Sequence, residues 1–396
     1  MNFLRALILV FSFSLFQGGF AQGVRGENLE IAVMTLGPYQ GELYSAFGHS
    51  AVRVYDTSRN VDYVFNWGVF DFDQENFYWN FARGKMLYQL GLGKYERFKN
   101  AYVRDNRYIV EQYLNLTPEE KLTLYNYLLE NYKPENREYY YNYVYDNCSS
   151  RIRDILRNAL GKEIKFNYDY VEEDLTIRDL MDRYLEYQPW GDWIIDIGLG
   201  YQIDKIAAPE EYMFLPDYLQ KGLEGSTITR GSTVLPLISK TVNVYKSKPE
   251  ENAVSIWTPF NTFVVVFFVI GFFTNRDFKT GKRTHWIDVL LYTFVGIFGW
   301  WCTFLWTGTV HLSESNMNLL WATPLHIPFI YFLKVKKYQK FLSKYFLVTS
   351  ILYLLLLIFW GILPQPLHEA IIPIILAMVL RGFFINYDLN KVGRKG

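Results

Sequence analysis

Between residues 256 and 385 the chain is built of apolar blocks, and these limit its possible folds more than any other feature. They cover 256–274, 286–307, 319–333, 346–363 and 370–385. A helix needs about 20 apolar residues to cross the hydrocarbon of a bilayer, so the first, second and fourth read as ordinary spans and the third and fifth as short ones. The connections alternate in charge. Residues 275–285 carry Arg276, Lys279, Lys282 and Arg283, residues 334–345 carry Lys334, Lys336, Lys337, Lys340 and Lys344, and the tail 387–396 carries Lys391, Arg394 and Lys395. Residues 308–318 and 364–369 carry neither lysine nor arginine. Basic loops stay in the cytoplasm, which predicts five spans, a cytoplasmic C-terminus and an exported segment ahead of residue 256.

The N-terminus agrees with export. Arg5 precedes an apolar run at 6–16, and Gly19 and Ala21 hold the small-residue positions of a cleavage site. This predicts a signal peptide over 1–21, since the run is too short to span. No cysteine follows the cut, so the chain is not expected to be a lipoprotein itself. Net charge is +0, with no basic stripe and no glycine-rich phosphate loop, which excludes a nucleic-acid or nucleotide reading. The exported part divides into a domain over 22–205 and an extension and linker over 206–255. Runs at 29–36, 50–55 and 63–69 read as strands broken by Gly37-Pro38 and Ser58-Arg59-Asn60. Thr117 caps a helix that opens with Pro118, Glu119 and Glu120 and runs to Tyr132. Residues 149–160 predict a second helix ended by Gly161, and Thr176 opens a third over 176–185. The exported domain is therefore α+β, and the rest an all-α membrane domain.

Chemistry concentrates on two residues. Cys148 is the only cysteine outside the apolar blocks, Cys302 being within one, and His49 is the only histidine ahead of them. Exported chains pair their thiols or lose them, so a lone one suggests reactivity. Cys148 falls where a tyrosine-rich segment turns into a helix, and unpaired N–H groups there favour thiolate and can hold an oxyanion. Its flanks Asp146, Asn147, Ser149 and Ser150 are polar, unlike the niche of a buried structural cysteine. Arg151 and Arg153 add positive field. Along a strand from His49, alternation puts His49, Ala51, Arg53 and Tyr55 on one face and Ser50, Val52 and Val54 on the other. A cysteine–histidine pair wants a third group to orient the ring. Asn66 on the next strand is the first choice, with Asp62 and Asp71 as alternatives. One cysteine and one histidine make a poor metal set, and no cofactor is expected.

The stretches 47–54, 66–72, 81–85 and 146–154, with Phe47-Gly48-His49-Ser50 and Asp146-Asn147-Cys148-Ser149-Ser150-Arg151 as their specific parts, resemble the Lnb-type lipoprotein N-acyltransferases of Bacteroidota. His311, Asn316, Asn318, Leu320-Trp321 and Pro324-Leu325 extend the likeness into the membrane part. The resemblance implies a circularly permuted NlpC/P60-like papain fold for the exported domain, in which histidine precedes cysteine as here. It also implies a bacterial inner-membrane enzyme with a periplasmic catalytic domain. Cys148 would take an acyl chain from a membrane phospholipid and pass it, with His49 moving protons, to the α-amino group of a diacylated apolipoprotein. Asn147, Ser149, Arg151 and Asp154 would support the site. His311, Asn316 and Asn318 would help hold a headgroup or amine from the outer loop, with His326, close to the outer interface, either functional at membrane depth or simply in the headgroup layer. The alternatives are an NlpC/P60-like peptidoglycan cysteine hydrolase and a non-catalytic lipid-binding membrane scaffold.

Overall fold

The computed structural model describes residues 24–70, 73–249 and 255–392, so the expected signal peptide, Asp71, Arg394 and Lys395 lie outside the described residues. β1 (Leu29–Leu36), β2 (His49–Asp56) and β3 (Val61–Phe70) form an antiparallel meander in which Leu36 faces His49 and Val52 faces Phe65. α1 (Phe77–Ala82), β4 (Leu87–Lys94), α2 (Tyr95–Arg104), β5 (Ile109–Leu114), α3 (Pro118–Tyr132) and β6 (Glu138–Tyr140) follow. After them come α4 (Cys148–Leu160), β7 (Ile164–Lys165), α5 (Ile177–Asp182), α6 (Pro189–Gly198) and α7 (Pro216–Glu224). β8 (Thr227–Arg230), β9 (Thr233–Pro236) and β10 (Ile238–Tyr245) end the exported part. The main sheet has seven strands in the order β10-β5-β1-β2-β3-β4-β6, all pairs antiparallel, and β7-β8-β9 form a small second sheet. Residues 238–245, read from the sequence as extension, are thus an edge strand of the main sheet.

The sheet is covered on both faces, which is why β1 is buried at every position but Glu30. On one face Val52, Val54 and Phe65 pack against Leu124 of α3 and Ile152 and Leu156 of α4. On the other, Met34, Ala51 and Val64 pack under Tyr95 of α2. Local sequence sets the helix starts. Thr117 and Glu120 form a reciprocal cap on α3, with Pro118 in the first turn. Thr176 and Asp179 do the same for α5, which stops at Asp182 because the next amides, Tyr184 and Leu185, close tight turns onto Met181 and Asp182.

α8 (Pro259–Thr280), α9 (His285–Gly308), α10 (His326–Phe332), α11 (Gln339–Ile358) and α12 (Ile372–Val392) make the membrane domain. Among the described residues, four helices are long and apolar enough to cross a membrane. Where a third span was expected, the chain instead makes a 3-10 turn at Met317–Leu320 and then the seven-residue α10. Pro324 has no backbone N–H and its ring clashes with the carbonyl four residues before it, so the helix does not run on from the turn, while Pro328 falls in the first turn of α10, where no intrahelical donor is needed. His326, expected near the outer interface, is the first residue of α10. It is buried, with Nε2 2.5 Å from the Tyr353 hydroxyl and Nδ1 3.0 Å from that of Tyr345.

Two joints hold the architecture. At one end Arg381 of α12, fully buried, bonds Asp288 of α9 at 2.5 Å and Asp277 of α8 at 2.8 Å. At the other, α6 leaves the exported domain and docks on the membrane helices, so that Trp193 and Ile197 belong to the same core as Val295, Cys302 and Trp321. The last carbonyls of a helix have no partner of their own. Here the Asn316 amide donates to Ile197 O at 2.8 Å, the Asn318 amide to Asp196 O at 3.1 Å and the Gln365 amide to Leu199 O at 2.9 Å. Gly200 N donates to Leu312 O at 2.8 Å, and a Cβ at Gly200 would come within 2.0 Å of Glu314 O, so only glycine allows that approach.

Replacing Arg381 by Met removes the buried cation that Asp277 and Asp288 share and leaves them only the longer pairs to Arg276 at 3.3 Å and Arg283 at 3.5 Å, a loss of about 3–5 kcal/mol. We expect Arg381→Met to lower the thermal unfolding midpoint in detergent micelles, and Arg276→Met, whose side chain is half exposed, to change it little.

Candidate active site

The site forms where the N-terminus of α4 overhangs the end of the main sheet. Asn147 caps α4: its side-chain oxygen accepts from the Ser149 and Ser150 N–H groups, and the Ser150 hydroxyl accepts from the Asn147 N–H. The Asn147 amide then donates to Tyr143 O at 2.8 Å and Phe214 O at 2.9 Å. Every polar atom of this side chain is engaged, and Cys148 becomes the first residue of the helix. His49 opens β2. Gly48 before it has φ +80°, a region that favours glycine, and this kink turns the chain into the strand at the histidine.

His49 Nε2 lies 2.5 Å from Asn66 Oδ1. That leaves Nδ1 for the thiol, to which the imidazole is hydrogen-bonded. Tyr102 of α2 stacks on the ring, with centroids 6.3 Å apart and planes 6° from parallel. The Ser50 hydroxyl of β2 meets that of Ser149 on α4 at 2.9 Å, a direct tie between base strand and nucleophile helix. Burial by itself lowers the His49 pKa, but the charge of Cys148 and the bonds to Cys148 and Asn66 leave it raised. Burial by itself raises the Cys148 pKa, but His49, the Ser50 N–H and the Ser149 hydroxyl leave it lowered. The two shifts favour a thiolate–imidazolium pair.

A cavity of about 250 Å³ opens on the sulfur. Its walls are mostly apolar and aromatic: Phe47, Trp67, Phe70, Tyr88, Tyr141 and Phe214.

The other residues expected at the site fall into place around it or away from it. Arg151 is bound to Asp146 at 2.6 Å and lies over the Tyr139 ring at 3.6 Å. Asp154 pairs with Arg153 at 2.8 Å, in the second turn of α4. Asp62 pairs with Arg53 at 2.7 Å. Asn316 and Asn318 are buried and hold the end of α6. The His311 ring packs against Gly84, just past the end of α1; burial lowers its pKa overall. These three therefore serve the joint between the domains. Tyr102, Ser50 and Tyr141 were not anticipated, although the run Tyr139 to Tyr145 was visible as an unusual density of rings.

One group among the described residues has metal-like spacing, Asp192, Asp196 and His368. Most of its atoms are already matched, the buried Asp192 Oδ1 being the exception. His368 Nδ1 accepts from Ala370 N–H at 3.0 Å, so Nε2 carries the proton shared with Asp192 at 3.2 Å, and Asp196 binds Arg178 at 2.5 Å. Asp182 beside them is pushed up to about 8 by burial and by Asp196 and Asp192, so the group lowers its charge by holding a proton.

A lowered Cys148 pKa keeps the thiolate present below the usual pH 9.0 of a free thiol, and it is lost as pH falls through the lowered value. We expect iodoacetamide alkylation of Cys148, followed by intact mass, to reach half its plateau below that pH. In His49→Ala burial prevails and the midpoint moves above it.

Residues 19–183 match the family model of the Lnb N-terminal periplasmic domain, and residues 250–391 match that of the Lnb transmembrane domain. No curated protein and no solved structure matches the chain. With both domains present in this order, the chain belongs to the Lnb family and is a membrane protein with a periplasmic domain.

Proposed function

We infer that this protein is a lipoprotein N-acyltransferase that carries an acyl chain on Cys148. The observation that supports this most is the hydrogen-bonded set Cys148, His49 and Asn66 opening on an apolar cavity, in a domain clamped onto membrane helices. In the first step the thiolate attacks an ester carbonyl of a membrane phospholipid. The S–C bond forms, the ester C–O bond breaks, and the His49 imidazolium gives its proton to the departing lysophospholipid oxygen. The Cys148 N–H, in the first turn of α4 beside the sulfur, is placed to bind the oxyanion. In the second step the α-amine of a diacylglyceryl-cysteine attacks the thioester. The N–C bond forms, the S–C bond breaks, and neutral His49 takes the amine proton, restoring the ion pair.

No cofactor enters this cycle. The apolar walls favour an acyl chain over the polar stem peptides of a cell-wall hydrolase, and they limit the water that would hydrolyse the thioester. Residues 317–338, running from the joint with α6 to the basic start of α11, would make the fifth membrane passage. That gives a protein of the bacterial inner membrane with the catalytic domain in the periplasm and the C-terminus in the cytoplasm. Its partners are phospholipids and diacylated apolipoproteins.

Incubation with phospholipid should give an acyl adduct on Cys148, seen by intact mass, removed by hydroxylamine and absent in Cys148→Ser. Lipoprotein N-termini should lose N-acylation when the protein is depleted in a strain without a second such enzyme; unchanged N-termini reject the reading. Asn66→Ala should lower kcat/KM on the order of 10²-fold. Because the Asn66 bond helps raise the His49 pKa, its loss should also move the alkaline fall of the pH–rate profile to lower pH.

A further inference from the structure

Helix α1 has no buried residue, and what it exposes is aromatic: Tyr78 is 83% exposed, Trp79 56% and Phe81 59%. A soluble surface rarely groups rings this way, whereas the layer where a bilayer meets water favours them. The helix is fixed at that level by the membrane domain. Trp79 packs against Phe304 of α9 with centroids 6.0 Å apart, Val310 N donates to Arg83 O at 3.0 Å, and the His311 ring packs against Gly84 just past α1. α9 has 24 residues, about 36 Å of helix against about 30 Å of hydrocarbon. Phe304 lies one turn, about 6 Å, inside its end, near the edge of the apolar layer.

From α1 a line of rings leads inward. Phe81 stacks with Phe77 at 6.4 Å, Phe77 meets Phe70 at 6.2 Å, Phe70 meets Tyr88 at 5.3 Å and Tyr88 stacks on Tyr141 at 4.4 Å. Phe70, Tyr88 and Tyr141 are walls of the cavity that holds Cys148. One apolar surface therefore joins the outer end of a spanning helix to the sulfur.

We propose that α1 is a lip inserted in the outer leaflet, and that the rings behind it are the route by which an acyl chain passes from the bilayer to Cys148. The route rests on the acyl-transfer reading above; the insertion of the lip does not. The occupant is the glycerol and upper-acyl layer of a phospholipid bilayer, because the lip continues the lipid-facing surface of α9 and presents no lysine or acid of its own. Interfacial rings are amphipathic and cover the chain as it leaves the leaflet, so the ester reaches the thiolate without crossing open water.

The test uses the full-length protein in nanodiscs of phosphatidylethanolamine and phosphatidylglycerol, with Cys148→Ser and Cys302→Ala to leave one labelling site. An environment-sensitive fluorophore on Tyr78→Cys or Phe81→Cys should emit to the blue and be quenched by lipids with a nitroxide near the headgroup. The same fluorophore on Ser58→Cys, in the exposed turn after the far end of β2, should not. Equal quenching at 78 and 58 overturns the lip.

For the route, Tyr78→Ser with Phe81→Ser in the otherwise native chain should slow acylation of Cys148 by nanodisc phospholipid at least tenfold. Acylation by water-soluble p-nitrophenyl butyrate should change less than twofold. Equal loss with both donors overturns the route. Quenching at 78 in a protein whose native Cys148 is acylated by neither donor rejects the route together with the acyl-transfer reading, while the inserted lip stands.

Discussion

The end of α6 is the point on which the arrangement of this molecule turns. Its last carbonyls belong to the periplasmic domain, and the amides that satisfy them come from the loops of the membrane domain. Unmet carbonyls in a buried place are costly, so the joint tolerates little play. It also fixes the height of everything attached to it. Tyr143, whose carbonyl is bonded by Asn147, and Phe214 and Leu215 of the cavity wall all belong to the part of the domain packed against this joint. The mouth of the catalytic cavity is held at one distance from the bilayer by a handful of amide hydrogen bonds.

Within the site the division of labour is unusually complete. Asn147 gives its whole hydrogen-bonding capacity to the backbone, and Asn66 accepts from the imidazole that faces the thiol. Tyr102 limits rotation of that imidazole from the far side of the sheet. The Ser50–Ser149 bond crosses between the two secondary elements, so movement of the helix relative to the strand stretches a bond beside the thiolate. Burial acts against both charges of the pair, and it is their mutual attraction together with these fixed donors that decides the outcome.

How much of this was legible depends on how local the signal is. Thr117 and Thr176 declare their helices within four residues, and alternation along β2 sorts Ala51 from Val52 correctly because the sheet is covered on both faces. His49, Asn66 and Cys148 were each visible as chemical types, but their meeting depends on strand register and on α4 crossing the sheet, which no short window contains. The outer loop misled for a simple reason. A polar residue that will bond a distant carbonyl and one that will face a substrate look alike in a sequence, so Asn316 and Asn318 read as binding residues. The block at 319–333 carried its own warning in Pro324, while β10 was hidden by Lys240 and Asn243, ordinary polar residues of an exposed edge.

That edge strand has a consequence for biogenesis. β5 pairs with β1 and with β10, and the second of these partners follows it by more than half the exported domain. During secretion the N-terminal strands emerge first, and β5 keeps an open row of backbone donors and acceptors until residues 238–245 arrive. Those residues are nearly the last to leave the translocation channel before α8 enters the lipid. Completion of the sheet and insertion of the first spanning helix thus fall together in time. The periplasmic domain becomes whole only when its membrane partner begins to be made.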